Sequence, residues 1–197
     1  LEQFGDTVED LLSGLVVACT HVTCGRISRG LGMIDAIRAK AETFNFPEAV
    51  GLAELAMAIA LIEIRKTSEA ETHLEKLKTS VSKEVLNHMM MGVYHDCRAF
   101  ILCSRKDYDT AFQHLKLSHG PSSADDPRLY FYTFWPWSFE YLQTLESKGY
   151  FYEGRNLDAE IDKIMVWNND YTKGAALRYR SLRAMEKREP EESVLQD

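Results

Sequence analysis

The feature that most restricts how this chain can fold is the stretch from Ala49 to Arg65, whose apolar residues fall on two faces of a helix at once. Leu52, Leu55, Ala56, Ile59 and Ile62 share one side, and Met57, Leu61 and Ile64 another. A helix that is apolar on two sides has to be sandwiched between neighbours. Those neighbours are visible on either side. Asp6 to Thr23 places Val8, Leu11, Leu12, Leu15, Val16, Cys19 and Val22 at spacings of three and four, the mark of an amphipathic helix. After Gly25 the same spacing carries Leu31, Ile34, Ile37, Arg38 and Ala41 toward Phe44, and Asn45-Phe46-Pro47-Glu48 reads as a break with Pro in the first turn of the next helix, where its missing N–H does no harm.

Beyond Arg65 long and short helices alternate. Ser68 to Leu77 is short, with Ala70, Leu74 and Leu77 inward; Lys83 to Ser104 is long and two-faced; Tyr108 to Leu117 is short again, with Ala111, Phe112, Leu115 and Leu117 apolar. Gly120-Pro121-Ser122-Ser123 is a loop, and Asp126-Pro127 reads as an N-cap with Pro at the first helical position. Helices then follow from Leu129 to about Tyr152, from Leu157 to Trp167 and, capped by Asn169-Asp170, from Tyr171 to Lys187, with Glu189-Pro190-Glu191 opening another. The predicted fold is all-α and occupies residues 1–197 as one domain of stacked antiparallel helical hairpins, a solenoid with a concave face. Three turns from a long helix to a short one carry the repeat: Arg65 to Ala70, Arg105 to Ala111 and Gly154 to Ala159, with the alanines 41 and 48 residues apart.

Composition narrows the function. There are 197 residues, with 23 basic against 30 acidic and a formal charge of −7, which argues against coating nucleic acid, since phosphate binding rests on clustered Lys and Arg. No apolar stretch approaches the ~20 residues of a membrane span. The chain begins with Leu1 and lacks a basic start followed by an apolar run, so the expectation is a piece of a longer protein without a signal peptide. Cys19, Cys24, Cys97 and Cys103 fit neither a CxxC knuckle nor a disulfide framework, and are expected to be reduced, mostly buried thiols of a cytoplasmic protein. Cys19, His21 and Cys24 do not converge on a helix, so no metal site is expected there.

The turn Lys106-Asp107-Tyr108-Asp109-Thr110-Ala111 resembles the G-D-Y-x-x-A turn of tetratricopeptide repeats with Lys in place of Gly, and Gly154-Arg155 with Ala159 is similar to the G-R-x-x-E-A variant. The longer hairpins resemble those of the maltose-activator (MalT-like) branch of LuxR-type bacterial transcriptional regulators. The resemblance covers residues 25–190 and implies a right-handed, tetratricopeptide-like solenoid. It implies a sensor that binds a small effector or a regulatory protein while other segments hydrolyse ATP and bind DNA. Neither a GxxxxGK[ST] phosphate loop nor a recognition helix stands in this chain.

Three groups of residues could carry chemistry. Tyr130, Phe131, Tyr132, Phe134, Trp135, Trp137, Phe139 and Tyr141 crowd eight aromatics into twelve positions around Pro136. They either fill a wide gap in the core, the weightier reading, or line a groove where rings stack on a ligand. In the second case Tyr132, Trp135, Trp137 and Tyr141 are the expected contacts. His88, His95 and Asp96, with His114 and the soft patch Met89-Met90-Met91 nearby, could suit a metal or an acid–base pair, but no HExxH spacing or nucleophile accompanies them. Lys173, Arg180, Arg183 and Lys187, joined by Arg178 and Arg188, make a basic stripe whose default reading is a solvated face opposing the helix dipole. The sequence therefore predicts a non-catalytic recognition domain without cofactor or metal, binding a protein, a peptide or a small effector, with no direct contact to nucleic acid or membrane. A scaffold without an effector is the alternative, and a helical metal-dependent enzyme using His88, His95 and Asp96 the weaker one.

Overall fold

The computed structural model describes residues 7–80, 88–118, 137–151, 161–162 and 170–186, and among them every regular element is an α-helix. In chain order these are α1 (Val8–Thr23), α2 (Ile27–Thr43), α3 (Pro47–Glu63), α4 (Thr67–Ser80), α5 (His88–Ser104), α6 (Tyr108–Ser118), α7 (Trp137–Ser147) and α8 (Asp170–Glu186). Ile161 and Asp162 are also helical. The chain divides into two compact units, Leu1–Ile101 and Leu102–Asp197, and the division falls within α5.

One turn geometry recurs throughout. Four links of three residues, α1–α2, α2–α3, α3–α4 and α5–α6, each have a positive φ at the middle residue, Gly25 (78°), Asn45 (54°), Arg65 (64°) and Lys106 (65°), and Gly149 (86°) after α7 takes the same conformation. In every case its N–H bonds the carbonyl three residues back and the next N–H reaches five residues back, as in Arg65 to Ile62 and Lys66 to Leu61. That pair of bonds satisfies the carbonyls left open at a helix end. In four of the five turns, the residue after the positive-φ position then accepts the first bond of the following helix, as Lys66 does from Ala70. The left-handed residues stand 20, 20, 41 and 43 positions apart.

In the first unit α1 packs on α2, α2 on α3, α3 on α4, and α1 also meets α3. Gly30 allows the close approach of α1 and α2: a Cβ there would stand 2.5 Å from Val22 Cγ2 and 2.6 Å from the Ala18 carbonyl oxygen. α3 is the centre of this unit, with every residue from Ala53 to Ile62 buried. The sandwiched helix expected from its two apolar faces is thus observed, and Pro47 opens it at the first position. α1 starts from Thr7, whose hydroxyl accepts the Asp10 N–H at 3.2 Å and donates to Asp10 Oδ2 at 2.8 Å. α4 buries Ala70, Leu74 and Leu77 as the spacing predicts. The α5 residues of this unit lie beside α4, with Arg98 donating to Glu71 at 2.6 Å and Lys78 over the Tyr94 ring at 4.9 Å.

Two expectations need correcting. The spacing of three and four puts Val16 on the apolar stripe of α1, yet it is 61% exposed, because the inward set is Leu11, Leu15, Ala18 and Val22 and Val16 falls outside that arc. Leu117, read as apolar, lies on the outer side of α6 at 60% exposed, since this helix buries Ala111, Leu115 and Ser118. The helix expected to run to about Tyr152 stops at Ser147, where Gly149 takes the left-handed conformation and the Tyr150 N–H closes on Leu145. The third repeat turn read at Gly154 to Ala159 lies outside the described residues.

Candidate functional site

An apolar helix orders its neighbours by burying surface, and any polar group caught inside it must find partners. Glu54 is that group. It sits in the middle of α3 and is 2% exposed. Its partners come from the helices on either side: His73 of α4, with Nδ1 2.6 Å from Oε2, and Arg38 of α2, with Nη1 3.4 Å from Oε1. Burial pushes the carboxyl up. The His73 hydrogen bond and the positive charges of His73, Arg38 and Lys76 outweigh that, so Glu54 titrates below the ordinary Glu value. An ionised carboxylate only accepts, so Nδ1 of His73 is the donor in this bond. Burial also acts against the Arg38 charge, but Asp35 at 3.0 Å, Glu54 and Glu42 at 3.8 Å prevail and hold the guanidinium more firmly protonated. Chemically the arrangement is a carboxylate–imidazole pair braced by a guanidinium.

None of Arg38, Glu54 and His73 is among the site residues the sequence predicts. The cluster's signal was one carboxylate in the apolar run from Ala49 to Ile62, but the partners stand 16 and 19 residues away and only the fold brings them in. Three of the four buried polar residues among those described, Glu54, Asp96 and Ser138, stand 42 positions apart, with Ser118 outside that spacing. His73 and His114 likewise stand eight residues after the left-handed Arg65 and Lys106.

Trp137 and Tyr141 are 3% and 1% exposed and their rings lie 6.4 Å apart in the interior of the second unit. These two rings are buried in the core, the weightier of the two readings of the aromatic segment, and α7 turns Trp137, Phe139, Tyr141, Leu142 and Leu145 inward together. Phe139 stacks at 5.5 Å on Tyr179 of α8, whose hydroxyl donates to Glu146 at 2.8 Å. Tyr132 and Trp135 lie outside the described residues.

Two members of the basic stripe are spent on ion pairs. Arg180 bonds Asp162, and Arg183 reaches Glu146 at 3.3 Å with its guanidinium over the Tyr179 ring. These acid partners lie within the unit, and Arg178 of the same stripe is exposed; Lys187 and Arg188 lie outside the described residues. Asp96 is buried and the His95 ring packs at 5.2 Å on Tyr94, while the side chain of His88 is not among those described. Among the described residues no three His, Cys, Asp or Glu side chains gather to hold a metal ion, and no helix is long and apolar enough to cross a membrane. Of the four free thiols Cys97 and Cys103 are buried, Cys19 is half-buried and Cys24 is exposed, so burial is less general than expected. Desolvation pushes the Cys19 and Cys103 thiols up to about 12 and Cys97 well above its ordinary range, which leaves them inert as nucleophiles.

A comparison of the chain with protein-family models, curated proteins and solved structures finds no match.

Proposed function

We propose that the chain is a non-catalytic recognition domain: a right-handed, tetratricopeptide-like solenoid of stacked antiparallel hairpins. It serves in the cytoplasm as the sensor or interaction segment of a LuxR-type bacterial transcriptional regulator. The observation that carries this reading is the turn that recurs with one geometry at Gly25, Asn45, Arg65, Lys106 and Gly149. Repeating supersecondary units that share their buried faces are what a solenoid is built from. The tetratricopeptide resemblance gains from the same turns. Lys106, which stands where that motif has Gly, adopts the left-handed backbone Gly is chosen for, Asp107 Oδ1 accepts the Thr110 N–H at 3.3 Å, and Ala111 is fully buried.

The domain acts by binding a protein, peptide or small effector in its concave groove, which shifts how hairpins pack and biases attached domains. With Trp137 and Tyr141 in the core, Tyr132 and Trp135 are the aromatic contacts that remain. The test is a thermal-shift screen of the chain against metabolite and peptide libraries and divalent metals. A stabilising metabolite or peptide whose effect disappears in Trp135→Ala is the expected result. Stabilisation by a metal that is lost in His95→Ala or Asp96→Ala would overturn it in favour of a helical metalloenzyme.

A further inference from the structure

We propose that the Arg38–Glu54–His73 cluster is a register lock, a device that fixes the rotation and axial position of α3 between α2 and α4 while adding little net stability. Ten consecutive residues of α3, Ala53 to Ile62, are buried. At 100° per residue they cover its whole circumference. Nine of the ten are apolar, four of them Ala. Burying such a helix is favourable in whatever rotation it is placed, because no polar face distinguishes outside from inside. Turning it by one residue exchanges one small or branched apolar side chain for another at most contacts.

Glu54 breaks that equivalence. In the observed register its carboxylate meets Arg38 from α2, with Asp35 and Glu42 behind it, and His73 and the charge of Lys76 from α4, all its partners among the described residues coming from these two helices. Rotated by 100°, the same carboxylate would face apolar side chains and lose both partners, and an unpaired buried charge is strongly destabilising. The wrong registers are penalised although the right one gains little, since the desolvation of a buried ion cluster offsets much of its attraction. A single buried polar residue fixes register in coiled coils by the same logic.

The test is a triple variant of the full chain, Arg38→Met/Glu54→Leu/His73→Leu, which replaces the cluster by apolar groups of similar size. Its Tm is expected within about 5 °C of the wild type, given how little stability an apolar replacement alters and how stability maps to Tm at this size. The backbone amide signals of residues 47–80 are expected to split or broaden into more than one set, where the wild type gives one. A single sharp set in the triple variant would overturn the proposal, because packing alone then fixes the register. Failure of the variant to fold would overturn it equally, since the cluster would then be supplying stability itself.

Discussion

At Glu54 burial and charge oppose each other, and the partners decide the outcome. Removing one partner is therefore worse than removing the whole cluster. His73→Ala leaves a carboxylate that is 2% exposed with Arg38 at 3.4 Å as its remaining bond, and should cost about 2–4 kcal/mol in denaturant unfolding. The pH dependence has a definite sign. Glu54 titrates below its ordinary 4.5 in the folded protein, so its contribution is present in full above that value and is lost as pH falls below it toward the folded value. Stability measured from pH 6 to pH 2 should fall less steeply in the triple cluster variant than in the wild type. Trp137 tests a different kind of burial. As a core ring at 3% exposure, its change to Ala should cost about 3–5 kcal/mol and lower the cooperativity of helix unfolding seen by circular dichroism. A variant of wild-type stability would return the ring to the surface.

Helices and turns differ in how far they could be read. The inward set of α4, Ala70, Leu74 and Leu77, is legible because its other faces are polar. Val16 and Leu117 are not, because an apolar residue at the margin of a stripe looks the same in sequence whether it faces in or out. The turns were half legible. Gly25 and the Asn45-to-Pro47 break announce themselves, whereas Arg65 and Lys106 carry ordinary side chains in a conformation that local propensity disfavours, held by the helices they join. That strain can be measured. Lys106→Gly should stabilise by about 0.5–1 kcal/mol, and Gly149→Ala, whose added Cβ would meet nothing within 4 Å, should destabilise by about 1 kcal/mol through φ alone. Opposite signs in thermal melts are the expected result; equal signs would mean that side-chain contacts decide these turns. The Glu54 cluster was legible only as an oddity, since sequence periodicity shows which residue is buried and not who waits for it across two turns.

At the scale of the molecule, the alternation of helices and breaks is readable among the described residues, while the division into Leu1–Ile101 and Leu102–Asp197 is not, because it falls in the apolar run Phe100 to Cys103 inside one helix. The proposed nearest-neighbour array would lose stability piece by piece. A variant that starts at Phe46 should keep its helicity per residue by circular dichroism and melt at a lower temperature. Loss of helicity along the remainder would instead indicate one indivisible bundle. The three-residue links impose a further condition. Between Val8 and Ser80 the backbone passes from rod to rod with its amides tied back into the preceding turn, and a peptidase must pull a length of chain straight before cutting it. This part of the protein offers no such slack, so trypsin can cut at Arg26, Arg65 or Lys66 only when a rod itself unwinds, and the rate of nicking there becomes a clock for local opening.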